Sequence, residues 1–291
     1  MTPELAALKS NIEDAIQVHL PASSALAQPL VDAMRYASLS GGKRLRPMLV
    51  CATCTGFDGI LEDSLAPACA VEFMHAYSLI HDDLPAMDDD ALRHGLPSSH
   101  VAHGEATAIL AGDALQTLAF ETLANATSVE AELRIEAIQL LSRACGWEGM
   151  VGGQSYDLTA EGTELSLSQL QTLHAAKTGA LIKASIQIGA MFAKVADERF
   201  VLVSEFADRI GLAFQIVDDV LDVTQTTEEL GKPAGSDVQA NKSTFTTLMG
   251  VEQAIETANT LLAEALPMLE RAGVSNGKLA ELGRLAVHRS Y

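Results

Sequence analysis

The sequence predicts an all-α protein built as a single domain, and three observations lead to this prediction. Apolar residues recur at intervals of three and four along most of the chain, which is the period of one helix face. No segment shows the sustained apolar–polar alternation of a half-buried strand. Hydrophobic residues make up 48% of the 291 residues and aromatic residues only 4%, a composition that favours close-packed helices over sheets.

The predicted helices follow one another with short breaks. The first has an apolar face formed by Leu5, Leu8, Ile12, Ile16 and Leu20. A second ends before the paired glycines at 41–42. Further helices are predicted at 47–57, 64–84, 106–124, 129–145, 168–194, 197–224, 251–271 and 277–288. Glycine, proline or polar clusters form breaks at 56–59, 95–97, 149–153 and 231–235. With no low-complexity linker or fixed-period repeat, the pattern favours one domain over residues 1–291.

The charge balance narrows the choice of partners. The chain has 19 Lys plus Arg against 38 Asp plus Glu, a formal net charge of −19. Such an acidic surface argues against nucleic acid or an anionic lipid surface as a partner. No uncharged run approaches the roughly 18 apolar residues of a spanning helix, and Glu4 stands where an export signal would carry positive charge. We expect a soluble, cytoplasmic protein without stable membrane insertion.

The four cysteines are predicted to be small core residues. Cys51 and Cys54 form a CxxC pattern, but it lies in an apolar run. A zinc site would need a second pair of ligands, whereas Cys69 and Cys145 stand alone. Buried free thiols fit a reducing compartment.

Two aspartate clusters follow long apolar helices. In the second, Asp218 and Asp222 lie four residues apart on one helix face, which Gln215 joins. Two like charges at this spacing repel each other unless a cation lies nearby. The acidic residues of the first cluster are Asp82, Asp83 and Asp88. There Pro85 loosens the helix end, so that Asp88 can reach the face that carries Asp82.

Carboxylate oxygens without thiolate or paired histidine favour magnesium among the common metals. Magnesium is held by a few carboxylates plus waters and substrate phosphates, so an acidic cleft of this kind can bind a diphosphate through the metal. A solvated acidic loop is the alternative interpretation. A calcium-binding EF-hand is excluded, because Arg93 and Ser99 occupy the positions, counted from Asp88, that require glycine and an acid.

Basic residues are scarce, and their positions suggest anion binding. Lys43, Arg44 and Arg46 follow the double glycine and flank a proline that can open a helix, although a plain solvated turn is equally compatible. Lys177 interrupts an apolar helix, where a lysine needs an anion. Taken alone, His75 is more simply interpreted as a half-buried histidine. It lies two helical turns before Asp82 on the same face, however, and this alignment favours a role in the site. The remaining candidates are Arg93, His94, Thr178, Lys232 and Lys242.

Taken together, these motifs resemble those of the trans-isoprenyl diphosphate synthases, most closely the bacterial farnesyl diphosphate synthases. The matching segments, in the order of that family, are 41–47, His75 with 82–88, 152–154, 177–178, 214–222, Lys232 and Lys242. The resemblance implies long, mostly antiparallel helices around a deep central cavity, the isoprenoid synthase type of fold, in a homodimer. It also implies isopentenyl and allylic diphosphates as substrates and Mg²⁺, about three ions per site, as cofactor.

The resemblance further implies a role for each matching residue. The first metal-ligand motif would be Asp82 and Asp88, supported by Asp83, and the second would be Asp218, supported by Asp219 and Asp222. Isopentenyl diphosphate would be bound by Lys43, Arg46, His75 and His94. The allylic diphosphate would be bound by Arg93, Lys177, Thr178, Gln215, Lys232 and Lys242. The resemblance implies ionisation of the allylic diphosphate, condensation and elimination, with the released diphosphate taking the proton.

His94 departs from the family pattern, which has a second arginine after the first aspartate motif. A histidine offers fewer donors and is cationic only near or below its usual pKa of about 6.5. We therefore expect weaker isopentenyl diphosphate binding, recovering as the pH falls.

Product length is expected to depend on the residues below the first aspartate cluster. Tyr77 and Ser78 lie at the fifth and fourth positions before Asp82, about one turn down the helix. The resemblance implies that Tyr77 stops growth at fifteen carbons, giving farnesyl diphosphate.

Three alternatives remain. Geranylgeranyl diphosphate synthase uses the same chemistry with one more addition. A terpene cyclase is disfavoured because the chain carries a second aspartate motif and the Lys43/Arg46 site. A non-catalytic regulatory subunit is disfavoured because both aspartate motifs are intact.

Overall fold

The computed structural model describes residues 1–226, 242–274 and 277–288, and it confirms the all-α prediction. In the first half of the chain the helices are α1 (Pro3–His19), α2 (Gln28–Leu39), α3 (Leu45–Gly56), α4 (Leu61–Asp82), α5 (Ser99–His103), α6 (Glu105–Ala124) and α7 (Ala131–Cys145). In the second half they are α8 (Met150–Thr159), α9 (Leu167–His174), α10 (Ala180–Phe192), α11 (Asp197–Thr224), α12 (Phe245–Met249), α13 (Val251–Ala272) and α14 (Lys278–Val287). Two short strands, β1 (Leu92–Arg93) and β2 (Leu96–Pro97), pair antiparallel.

The ends of α1 show how local sequence defines the helices. Thr2 precedes the helix with an extended backbone and its side chain accepts a hydrogen bond from the Leu5 amide, while Pro3 stands at the first helical position. A proline is tolerated there because its missing N–H has no partner within the helix. Glu4 in the first turn and His19 in the last turn complement the helix dipole.

The core is one continuous apolar cluster in which α4 and α10 are central. Helix α4 packs against α1, α2, α3, α6 and α10, and α10 packs against α3, α4, α7 and α11. Phe73, Phe206 and Phe245 are among the largest fully buried side chains. All four cysteines are buried and free, as predicted, and burial raises the pKa of Cys51 and Cys145 to about 12.

The sequence places one break wrongly. Residues 149–153 are predicted as a break, but helix α8 begins at Met150 and contains Gly152 and Gly153. A Cβ on Gly152 would lie 1.9 Å from the Trp147 carbonyl oxygen, and one on Gly153 would lie 2.3 Å from the backbone nitrogen of Lys177. These glycines therefore permit close packing, and they do not end a helix.

The predicted helix 168–194 is continuous but irregular. A π-helical turn, Ala175–Gly179, joins α9 to α10, and it contains Lys177 and Thr178. Such turns widen the helix and are often found at functional sites. The predicted break at 231–235 lies outside the described residues. Within the described segments, every helix is too short or too polar to cross a membrane.

Candidate active site

A cavity of about 910 Å³ opens between α3, α4, α8, the π-helical turn and α11. Most of the residues predicted to form the site line it. They are Lys43, Arg46, His75, Tyr77, Ser78, Asp82, Asp88, Arg93, His94, Lys177, Thr178, Gln215, Asp218 and Lys242. Asp83 and Asp222 do not line this cavity, and Lys232 lies outside the described residues.

The first aspartate cluster is shaped by the end of α4. The helix ends at Asp82, and the chain then turns so that the Asp88 amide donates to the Asp82 carbonyl oxygen at 2.9 Å. This return places Asp88 beside Asp82, as Pro85 predicts. The pKa of Asp82 is raised to about 6, chiefly by burial; Lys177 and Arg93 lower it, and the neighbouring Asp88 raises it. The negative charge at this point is thus incompletely compensated by the protein.

Asp83 faces away from the cavity and anchors Arg93. It is 2% exposed, and Arg93 donates from Nε to its Oδ1 at 3.0 Å and from Nη2 to the same oxygen. Arg93 Nη2 also lies 3.3 Å from Asp90 Oδ2. This placement differs from the predicted metal ligation by Asp83, because its carboxylate is already used to hold Arg93 at the cavity wall.

The second aspartate cluster lies on α11, where successive residues face different neighbours. Asp218 lines the cavity. Asp219 is 2% exposed and accepts hydrogen bonds from Gln215 Nε2 at 2.9 Å and from the Phe245 amide at 2.8 Å, so it joins α11 to α12. Asp222, one turn beyond Asp218, is 4% exposed, and within the described segments neither carboxylate oxygen has a hydrogen-bond partner.

These carboxylates fit a magnesium site. A buried carboxylate without a partner, as at Asp222, is unfavourable unless a cation neutralises it. Among the described residues, no three acidic, histidine or cysteine side chains are grouped closely enough to hold a metal alone. Mg²⁺ is usually held by a few carboxylates completed by waters and substrate phosphates, and Asp82, Asp88 and Asp218 line one cavity.

Asp157 is a site residue that the sequence analysis missed. Its Oδ2 accepts hydrogen bonds from Lys177 Nζ at 2.6 Å and from Lys242 Nζ at 3.3 Å. Lys242 Nζ is also 3.4 Å from Asp88 Oδ1, so the two lysines connect α8 to the first aspartate cluster. Both lysines lower the pKa of Asp157 against the effect of its burial. The signal that could have found it is its position three residues after the segment 152–154, which matches the family.

The π-helical turn is tied to α11 through a chain of polar side chains. Thr178 Oγ1 donates to Gln215 Oε1 at 2.8 Å, and Gln215 Nε2 donates to Asp219. The Gln215 amide orientation is therefore defined by a donor on one side and an acceptor on the other. These contacts hold Thr178 and Gln215 at the cavity wall beside Asp218.

The structure brings together Arg46 and His75, two of the residues predicted to bind isopentenyl diphosphate, at the cavity wall. Arg46 Nη1 lies 3.2 Å from His75 Nε2 and its guanidinium lies 5.9 Å above the Phe214 ring. Burial, followed by the charge of Arg46, lowers the pKa of His75 well below its usual value, so His75 is neutral. Since arginine can only donate, His75 Nε2 accepts from Arg46 and fixes its orientation.

Arg44 fixes the position of the turn that precedes α3. It is 6% exposed in a left-handed backbone conformation (φ 54°) directly before α3. Its Nη1 donates to the buried carboxylate of Glu72, and its Nη2 donates to the Ser38 carbonyl oxygen at 2.7 Å. The turn that carries Lys43 is thereby fixed to α4 and α2.

His94 sits in the β1–β2 turn close to Gly42, where a Cβ would lie 3.4 Å from its Nε2. Burial, and then the charges of Arg93, Arg44 and Lys43, lower the pKa of His94 to about 4. In the free protein His94 is consequently neutral across the physiological pH range. The predicted recovery of its charge as the pH falls would occur only well below pH 6.

An all-α fold with two aspartate clusters and several cations around one large cavity defines the class as helical prenyl-transfer enzymes. The polyprenyl synthetase family model matches residues 27–282, and the chain belongs to that family. Among its relatives, farnesyl diphosphate synthase of Escherichia coli (strain K12) is 50% identical over 262 residues, 89% of this chain and 87% of that protein. The large subunit 1 of a chloroplastic heterodimeric geranylgeranyl pyrophosphate synthase of Arabidopsis thaliana is 45% identical, covering 91% of this chain and 73% of that protein.

Solved structures agree with this assignment. An FPP/GFPP synthase from Zymomonas mobilis superposes with a TM-score of 0.84 at 38% identity, covering 98% of this chain and 97% of that one. A geranyltransferase from Helicobacter pylori, solved with magnesium and isoprenyl diphosphate, also gives a TM-score of 0.84, at 35% identity, covering 99% of this chain and 96% of that one. The family resemblance and the fold expected from the sequence are confirmed.

Proposed function

We propose that this chain is a trans-prenyltransferase that condenses isopentenyl diphosphate with dimethylallyl or geranyl diphosphate to give farnesyl diphosphate. The main support is the arrangement of the cavity, where acidic residues of α4 and α11 and a set of lysines and arginines line one space. Prenyl chain elongation is the activity of its family, and the farnesyl diphosphate synthases of Escherichia coli and Haemophilus influenzae are 50% and 43% identical to it.

Asp82, Asp88, Asp218 and Asp222 are the carboxylates that would hold Mg²⁺. When bound, the metal supplies positive charge that stabilises the departing diphosphate. Lys177, Lys242 and Arg93 line the same part of the cavity, and we assign them to the allylic diphosphate. To bind it, Lys177 and Lys242 exchange their contact with Asp157 for the more highly charged ligand.

Lys43 and Arg46, which also line the cavity, bind the diphosphate of the second substrate, and His75 orients Arg46. Thr178 and Gln215 offer oxygen atoms to the allylic carbocation, whose positive charge they stabilise. The apolar part of the cavity excludes water, which would otherwise capture that cation. We assign the proton lost in the elimination to the released diphosphate.

The other family-based expectations belong to the same proposal. Mg²⁺ is the cofactor, the protein functions in the cytoplasm, and two copies form a homodimer. Exposed apolar side chains on α6, Ile109 and Leu110, give such a dimer a surface to bury. Lys232 is expected to join the cations that bind the allylic diphosphate. We further propose that residues 1–291 form one domain.

Geranylgeranyl diphosphate synthesis is the second candidate, because chloroplastic relatives with that activity are 42–45% identical. Tyr77 favours the shorter product. It lines the cavity one turn below Asp82 and is only 5% exposed, so its ring closes the space into which a longer chain would grow.

Product analysis tests this proposal. The purified protein is incubated with isopentenyl diphosphate and either dimethylallyl or geranyl diphosphate, with and without Mg²⁺. A magnesium-dependent C15 diphosphate from both starters is expected. A C20 product would support the proposed reaction but contradict the assignment of Tyr77 as the residue that limits product length. A complete lack of condensation would favour a non-catalytic subunit.

A further inference from the structure

His81 occupies a position between the cavity floor and the neighbouring helix α6. It directly precedes Asp82 at the end of α4, and its ring also lines the cavity. The ring packs edge-on against Tyr77, with centroids 5.5 Å apart and planes at 85°. Because the two residues are one turn apart on α4, His81 covers the side of Tyr77 that is nearer the aspartates.

The other side of the His81 ring is fixed by α6. His81 Nε2 lies 3.0 Å from the Ile109 carbonyl oxygen, and since a carbonyl only accepts, Nε2 carries the proton. A Cβ added to Gly112 would lie 2.2 Å from Nε2 and 2.6 Å from Cδ2. Gly112 therefore leaves a space that the imidazole fills completely, and the ring cannot move further toward α6.

Besides the cavity that it lines, Tyr77 has neighbours on α6 and α7. Its pKa is raised to about 12, chiefly by burial and then by the nearby Cys145 thiol of α7, while Gln116 of α6 acts on its hydroxyl in the opposite direction. The hydroxyl end thus lies near α6 and α7. Removing the imidazole of His81 would give the ring room on the side that His81 now fills.

We infer that His81 is a positioning residue for product length, holding the Tyr77 ring across the cavity floor by bracing it against α6 at Gly112. This inference rests on the proposed prenyl elongation and on Tyr77 as the floor. Replacing His81 by alanine removes about as many non-hydrogen atoms as one isoprene unit contains, directly beside the floor. Tyr77 can then rotate into the vacated space and open the cavity to a longer chain.

The experiment measures product lengths for His81→Ala, Tyr77→Ala and the double variant, with geranyl and isopentenyl diphosphates. We expect His81→Ala to raise the C20-to-C15 ratio by about tenfold, equivalent to about 1.4 kcal/mol between the competing steps. In the Tyr77→Ala background the same change should add little, because His81 acts through Tyr77. The positioning role would be wrong if the changes in the C20-to-C15 ratio caused by the two single variants multiplied fully in the double variant. It would also be wrong if His81→Ala still gave only the C15 product.

Gly112→Ala tests the same contact from the side of α6 and leaves every residue of α4 unchanged. The added methyl group displaces the imidazole against Tyr77 and shifts the floor, so that the product length distribution changes. An unchanged product distribution in this variant would contradict the inference, and this holds even if His81→Ala loses activity through its neighbour Asp82.

His103→Ala is the matched control. His103 forms a similar edge-on pair with Tyr36, with centroids 5.0 Å apart, but neither residue lines the cavity. Its product should remain C15. Should the unaltered protein fail to condense any substrates, the proposed function is wrong; a C15-producing enzyme that is insensitive to both changes disproves only the role of His81.

Discussion

At the scale of single residues, the cavity contains charges that compensate one another in the free protein. Asp157 binds both Lys177 and Lys242, and Arg93 is held by Asp83. The lysines and arginines that we assign to diphosphate binding would repel one another in the absence of substrate. These carboxylates offset that repulsion. The arrangement also keeps the cations oriented toward the cavity before the substrate arrives.

We predict that Asp157→Asn destabilises the free protein by about 1–3 kcal/mol, because it removes the carboxylate that Lys177 contacts and one of those that Lys242 contacts. Inorganic diphosphate should restore more stability to this variant than to the unaltered protein, since the lysines are then available to it. Urea unfolding with and without diphosphate measures both effects.

Asp208→Asn is the control for that prediction. It removes the partner of Lys183 in a solvent-exposed pair at 2.8 Å, with side chains 36% and 56% exposed. Its cost should be at most about 0.5 kcal/mol, with no response to diphosphate. Equal losses in the two variants would show that Asp157 has no special role.

We predict that His94→Arg lowers the KM for isopentenyl diphosphate at pH 8 by about threefold to tenfold, because arginine adds a permanent charge and more donors. The pKa of His94 near 4 means that lowering the pH from 8 to 6 should not abolish this difference. Steady-state kinetics at both pH values measure it. An unchanged KM at pH 8 would remove His94 from the substrate site.

At the scale of elements, the approach of α8 to the π-helical turn positions the allylic side of the cavity. Gly153 has no Cβ, and this allows α8 to contact the backbone of Lys177 directly. The same approach brings Asp157 of α8 within hydrogen-bond distance of the Lys177 amine. A change in this packing would therefore move a predicted substrate contact as well as a core contact.

We predict that Gly153→Ala destabilises the protein by about 1–3 kcal/mol, the usual cost of overpacking, and lowers kcat by more than about tenfold. The Cβ would lie 2.3 Å from the Lys177 backbone nitrogen, so one of the two elements must move. Thermal unfolding and steady-state kinetics provide the measurements.

Gly56→Ala provides a comparison for this effect. Gly56 is also helical, but among the described residues its added Cβ would meet only Val274 Cγ1, at 3.8 Å, an ordinary contact. Because alanine favours helices more than glycine does, we expect equal or slightly greater stability. A similar loss in both variants would contradict the packing argument.

At the scale of the whole molecule, buried neutral histidines make stability depend on pH. His174 lies near Lys177, Asp157, Asp218 and Lys242, and burial is the main cause that lowers its pKa to about 4. An unfolded chain binds this proton near pH 6.5, whereas the folded protein binds it only near pH 4. The stability that His174 provides is therefore present above about pH 6.5 and is lost as the pH falls toward 4.

We predict that His174→Gln reduces the pH dependence of unfolding. The difference in unfolding free energy between the unaltered protein and the variant should fall by about 1–2 kcal/mol from pH 7 to pH 5. Asp82, whose pKa is raised to about 6, acts in the opposite direction but is common to both proteins. A difference that stays constant over this range would show that His174 titrates normally.

The sequence determined the fold class, most helices and the cavity residues, because these follow from local patterns. Helical periodicity does not require knowledge of distant neighbours, and motifs such as those around Asp82 and Asp218 carry their spacing within one segment. The error at α8 arose because a glycine that permits close packing has the same letter as a glycine that ends a helix. Only the contact of Gly153 with Lys177 distinguishes the two.

Tertiary structure decided which side chains serve which partner. Asp83 and Asp88 belong to one sequence motif, yet Asp83 holds Arg93 while Asp88 faces the cavity with Lys242. Likewise Asp157 became a site residue, and His81 became the brace of Tyr77, through contacts between helices far apart in sequence. Hydrogen bonds and ring contacts act over a few ångströms in space, so the sequence determines which groups are present, and the fold determines which of them meet.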